Sequence, residues 1–248
     1  METTRIRHIY RNAQILALVL STFLASEVQA QSGIIDRENQ QWLQYANRIQ
    51  FKSKWVLSSN ASLRWIENFS LLSQYQINTG VGYQLTENFR FSSGVAYFRP
   101  INHSSNTHHE FRPFQELLFS QDVGKARMVN RLRMEERVLT FVEGEQLETT
   151  YLRFRYGLFF NIPVLASSKD GKRSDLELAL RNETLFNGPN DQDEKLFDLE
   201  RISIGPSWAM DNVSLTLFWH NQFSSLPEAK SYKYTSIVAF QVLQRIKL

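Results

Sequence analysis

Ten charged residues, spaced by two or four within each stretch, fall along four stretches of this 248-residue chain: Arg131, Arg133, Glu135 and Arg137; Arg153 and Arg155; Glu177, Arg181 and Glu183; and, singly, Arg201. An even spacing puts each set on one face of an extended strand. Such a ladder can do one of two kinds of chemistry. Lining a water-filled lumen, its basic balance focuses a positive potential and attracts small polar or anionic solutes. Facing across a narrow lumen, the same Arg and Glu side chains pair bidentately and plug it, because a barrel of ten to twelve strands has little room once long side chains fill it. Glu135 and Glu183 separate the two. Substituting either opens or destabilises a plug, but mainly shifts the ion selectivity of a pore.

Two other groups carry chemical potential. His103, His108 and His109 lie close to Glu110 and offer imidazole and carboxylate donors, although such a run is the ordinary content of a solvated loop, and no metal ligand is assigned. His220, with Ser203, Ser207 or Ser214, has the residue types of a base and a nucleophile. Their spacing signals nothing specific, and there is no GxSxG elbow, HExxH or P-loop. The chain is read as non-enzymatic, without catalytic residues or cofactors; an outer-membrane lipid hydrolase is the enzyme alternative. The polar stretches Arg99 to Glu110 and Asn187 to Lys195 are candidate partner-binding loops, though Asn187, Gly188, Pro189, Asn190 and Asp191 are also plain turn chemistry.

The elements that must position the ladder are strands. From Leu71 to Leu85, Leu71, Ser73, Tyr75, Ile77, Thr79, Val81, Tyr83 and Leu85 alternate with Leu72, Gln74, Gln76, Asn78, Gly80, Gly82 and Gln84. Between Trp55 and Trp65 the face carrying Trp55, Leu57, Leu63 and Trp65 opposes Val56, Ser58, Asn60, Ser62 and Arg64. Ten residues at about 3.3 Å each extend roughly 33 Å. A tilt near 40° leaves about 25 Å along a membrane normal, the height of an outer-membrane apolar band with an aromatic at each rim. Phe89, Phe91, Val95 and Tyr97 repeat the pattern after the short turn Thr86, Glu87, Asn88, and further alternating runs follow to the C-terminus, with Tyr234, Val238, Phe240 and Val242 on one face of the last.

Alternation alone does not say which face is inside. Polar-in is favoured because strands nearly fill the chain, aromatics recur near strand ends, and little helical periodicity is left to cover an exposed sheet. Strand-like runs begin near Leu43, Trp55, Leu71, Phe89, Phe111, Arg127, Thr149, Asp175, Phe197, Val213 and Tyr232. Even strand counts are the rule for single-chain bacterial barrels, so twelve strands are expected, the extra one lying between Ser32 and Gln41, with ten as the alternative. Phe111 to Gln121 is the least regular run: Pro113 removes a ladder donor, and Phe114, Leu117, Leu118 and Phe119 mix parities.

Residues 1–30 read as a secretory signal, with Arg5, Arg7 and Arg11 before an apolar core from Ile15 to Leu24 and a small-residue site at Val28, Gln29, Ala30. That core is too short to span a bilayer as a helix. Cleavage after Ala30 leaves 218 residues with 25 Lys and Arg against 23 Asp and Glu, a net charge of +2. So even a balance gives no support to nucleic-acid binding. The absence of Cys removes disulfides, thiolate sites, a Cys nucleophile and a lipidated N-terminal Cys.

At Asn130 to Arg137 (NRLRMEER), Leu152 to Gly157 (LRFRYG), Arg181 to Asn187 (RNETLFN) and Glu200 to Gly205 (ERISIG), the chain resembles an outer-membrane barrel family known as domain of unknown function 2490. The resemblance implies a Gram-negative, signal-bearing barrel and no assigned reaction. The expectation is therefore an all-β antiparallel transmembrane β-barrel over residues 31–248 with a polar lumen. It is monomeric, surrounded by outer-membrane lipid and inserted by the barrel-assembly machinery, although Leu248 stands where such barrels often end in an aromatic. The main architectural rival is a soluble periplasmic ligand-binding barrel.

Overall fold

The alternating runs become strands because each has one apolar and one polar face, and a closed sheet separates the two faces without leaving an unpaired edge. The computed structural model describes residues 34–101, 108–141, 148–169, 172–189, 195–226 and 231–248. Residues 1–30, read from the sequence as a signal, lie outside the described residues, as do His103, Asn190 and Asp191.

Among the described residues eleven strands follow in chain order: β1 (Ile34–Gln50), β2 (Trp55–Ile66), β3 (Leu71–Gln84), β4 (Phe89–Pro100), β5 (His108–Val123), β6 (Ala126–Phe141), β7 (Glu148–Lys169), β8 (Lys172–Asn187), β9 (Phe197–Met210), β10 (Val213–Ser225) and β11 (Tyr232–Lys247). Each pairs with its sequence neighbour in antiparallel register, and β1 closes the barrel against β11. That last pair is parallel, running from Asp36 opposite Lys233 to Gln50 opposite Lys247.

The strand count corrects the expectation of twelve. Residues 34–41 are the first half of β1 rather than a strand of their own. The parity argument fails because a parallel closing pair lets an odd number of strands complete the ring. Pro113 does lie within a strand, β5, opposite Val95 of β4. On the other side the β5–β6 register passes from Phe111–Val138 to Phe114–Glu135, so the missing N–H falls in a local gap in the ladder.

The faces are polar-in. Leu43, Trp55, Leu63, Ile77, Leu132, Phe154, Trp208, Trp219 and Phe240 are all exposed on the outer wall, while Glu135 inside is only 1% exposed. This is the inverse of a soluble barrel, which would bury the leucines. Connections of two to four residues at 51–54, 85–88, 124–125, 170–171 and 211–212 gather at one end, the turn end. The connections 101–107, 142–147, 188–196 and 226–231 are at the other, the loop end, with the four-residue turn 67–70 beside them. The polar stretch from Arg99 to Glu110 is thus partly strand, since β4 and β5 extend into it. Gly124 takes φ +63° in the two-residue β5–β6 turn, where a first central residue of positive φ suits a hairpin.

Candidate functional site

Inside the barrel charged side chains of adjacent strands face one another, and their density follows from register. Arg133 and Arg155 are directly opposite each other on β6 and β7, as are Glu135 and Arg153. Glu183 on β8 is opposite Arg201 on β9. Like charges so placed need anions between them. Glu135 supplies one: its carboxylate accepts hydrogen bonds from Arg153 at 2.5 Å and Arg155 at 3.4 Å and forms an ion pair with Arg133 at 3.0 Å. Glu183 supplies a second, bonded to Arg131, to Arg201 at 3.3 Å and to Arg155 at 3.8 Å. Glu116 on β5 reaches Arg133 at 3.5 Å and Arg131 at 3.8 Å. Glu110 binds Arg112 and Arg137. Asp198 sits where the β8–β9 register shifts and accepts from Arg153 at 3.1 Å.

Carboxylates do only part of the work, and rings do the rest. Guanidinium planes lie over the rings of Phe98 (Arg112, 3.5 Å), Phe114 (Arg133, 3.6 Å), Phe218 (Arg181, 4.3 Å) and Tyr151 (Arg137, 4.7 Å). Trp42 carries Arg64 at 4.0 Å and Arg201 at 4.8 Å, and Phe159 carries Arg131 at 5.1 Å. Stacking on a ring fixes the plane of a guanidinium without neutralising it and leaves its N–H edge free to donate. Space for the rings is made by the wall. Gly80 and Gly94 are opposite each other on β3 and β4, and a Cβ on Gly94 would lie 2.6 Å from Phe114 Cζ.

Among the described residues two cavities lie in the lumen. The one toward the loop end is about 550 Å³ and the one toward the turn end about 660 Å³. They share Asn60, Asn78, Arg131, Arg133, Phe159 and Arg181, which together form a waist. Nine Lys and Arg side chains against three Glu line the loop-side cavity, and nine against two line the turn-side cavity. The basic residues of a nearly balanced chain are thus concentrated inside it.

Of the ten residues singled out from the sequence, eight join ion pairs within this network. Arg181 joins instead through Phe218 and a 3.4 Å bond to Gln241. Glu177 has the inward parity but lies nearer the turn end, opposite Pro163 and Ser207, apart from the rest. Sequence reasoning missed Arg112, Glu110, Glu116 and Asp198 as lumen groups. The shared parity of Glu110, Arg112, Phe114 and Glu116 was the available signal.

His109 and Glu110 occupy opposite faces of β5, with His109 against the Tyr97 hydroxyl and Glu110 in the lumen, so the two do not converge on one ion. Of the three serines, only Ser203 meets His220, with Oγ and Nδ1 2.6 Å apart. Ser207 accepts from Thr216 and Ser214 from Arg245, each at 2.8 Å. Among the described residues no carboxylate orients the far nitrogen of His220, so the third member of a charge-relay arrangement is lacking.

The family described as a protein of unknown function, DUF2490, matches residues 39–233, from within β1 to the start of β11. The chain belongs to the DUF2490 family. No curated protein matches it. Every ion-paired residue of the DUF2490 network named above lies within the matched stretch, so the ionic network is part of the family's domain rather than an addition to it.

Proposed function

We propose that this DUF2490 protein is exported, loses residues 1–30, and sits in the outer membrane as a monomeric barrel that admits small anions into its basic lumen and passes them through the waist. The reading rests on one observation: cationic side chains outnumber carboxylates three to one or more in both cavities. In a low-dielectric shell, such an excess raises local anion concentration. The exposed apolar outer wall supports placement in outer-membrane lipid, because a soluble protein rarely leaves so large an apolar surface uncovered. Insertion falls to the barrel-assembly machinery. By the asymmetry common to such barrels, the loop end faces outward and the turn end faces the periplasm. The reading assigns no reaction to the protein.

The test has two steps. The mature protein should fractionate with outer membranes and shift its gel migration on boiling after mild detergent extraction. In planar bilayers under a salt gradient it should then conduct with a reversal potential of anion-selective sign. A protein that extracts without detergent overturns the membrane placement. A membrane barrel that does not conduct overturns passage and leaves a plugged barrel whose loops bind a partner.

A further inference from the structure

Within the loop-side cavity one imidazole has a nitrogen with nothing to bond. His220 is 6% exposed, and its Nε2 has no hydrogen-bond partner among the described residues. The ring is held firmly. It stacks on Phe218 with centroids 5.3 Å apart, lies 5.4 Å from Trp42, and bonds through Nδ1 to Ser203. Leaving a fixed, buried polar atom unsatisfied costs stability, so the position calls for a ligand.

The neighbours indicate which kind. Ser203 is directly opposite both Arg181 on β8 and His220 on β10, so the three form one lateral row across three strands. Arg201 is two residues before Ser203 on β9 and faces the same cavity. The backbones of β8 and β10 stand roughly 10 Å apart, and between them the row has only a small serine side chain. Arg181 makes no ion pair among the described residues: its ring contacts are with Phe218 at 4.3 Å and Phe159 at 5.6 Å, and its polar contact is Gln241. Its Nε is also without a partner. Arg201 stacks on Trp42 and bonds Gln222 at 2.6 Å and Glu183 at 3.3 Å.

We infer that Arg181, His220 and Ser203, with Arg201 beside them, form a subsite for a tetrahedral oxyanion of phosphate type in the loop-side cavity. If the Ser203 hydroxyl donates to Nδ1, the His220 proton sits on Nε2 and points at the anion. Arg181 donates from one flank and Arg201 from the next level of the ladder. Donors from three adjacent strands approach from different directions, which suits a tetrahedral anion better than a planar carboxylate. The subsite gives the proposed anion path its substrate class and depends on that reading for its physiological use, but binding can be measured without conductance.

The experiment is calorimetric titration of the full barrel in detergent with inorganic phosphate, glycerol 3-phosphate and acetate at constant ionic strength. One saturable phosphate site is expected. Arg181→Gln and His220→Gln should each weaken it by roughly tenfold or more, whereas Arg37→Gln, on the outer wall, leaves it unchanged. Tighter binding of glycerol 3-phosphate assigns an organic phosphate, and equal binding assigns the free ion; acetate binding as tightly as phosphate overturns the tetrahedral preference. The wild-type protein labelled with 15N-histidine gives a check that needs no variant to fold, since phosphate should move one ring-nitrogen resonance. No saturable site, or a site indifferent to both substitutions, overturns the inference. Binding without conductance leaves it standing and removes only the proposed passage.

Discussion

Glu135 is the residue on which most depends, because three guanidiniums that register brings together share its one carboxylate. Removing one partner of a buried ionic cluster leaves the others charged and desolvated, at a cost of about 3–5 kcal/mol. Glu135→Gln should therefore lower the unfolding free energy of the detergent-folded barrel by about 3–5 kcal/mol, read as an earlier urea midpoint. Glu177→Gln, on the same inner surface but outside the network, should leave the midpoint nearly unchanged. Glu183→Gln tests the lumen in a second way: it removes the nearest carboxylate of Arg131 and Arg201 and should make the reversal potential more anion-selective in bilayers. The parity that put these acids and arginines inside was legible in the sequence. Their ring supports were not, because Phe218 lies within Leu217, Phe218, Trp219 and Phe159 within Leu158, Phe159, Phe160. In such runs both faces are apolar, and alternation cannot tell a lumen aromatic from an outer-wall one.

Among the elements, β3 and β4 show how closely the wall is fitted to its contents. A Cβ at Gly94 would lie 2.2 Å from the Thr79 carbonyl oxygen and 2.6 Å from both Gly80 Cα and Phe114 Cζ. Gly94→Ala is expected to force β3 from β4 and to push Phe114 away from Arg133, reducing the heat-modifiable fraction. Gly124→Ala is the contrasting case. Nothing lies within 4 Å of its Cβ, but φ is +63°, so the cost should be a purely conformational ~1 kcal/mol, read as a small shift in midpoint with full folding yield. Equal losses in the two variants would contradict this separation of crowding from backbone strain. All eleven strands had been visible as runs of alternation, and even the irregular β5 was found. At Pro113 the disruption is confined to the β6 side of that strand. What pointed to twelve was the even-count rule, with the polar first half of β1 read as a separate element.

For the whole molecule the decisive feature is the parallel β1–β11 closure, which side-chain alternation cannot reveal because it is the same for parallel and antiparallel neighbours. Its consequence concerns the two ends of the barrel. With eleven strands, β1 begins at the loop end, where Asp36 accepts from Lys233 at 3.3 Å, and β11 finishes at the turn end, where Leu248 N–H donates to the Gln50 carbonyl at 2.9 Å. An even-stranded barrel would instead start its first strand and finish its last at the same end. The chain contains no Cys, so single-Cys variants report without background. Asp36→Cys and Lys247→Cys should react from opposite sides of the membrane. In the orientation proposed here, a membrane-impermeant maleimide added to intact cells labels position 36, and labels position 247 only after the outer membrane is opened. Reversed accessibility would invert the orientation but keep the eleven-stranded closure, because the two positions would still differ. Labelling of both positions from one side would require a twelfth strand or the loss of one, and the parallel seam would have to be abandoned.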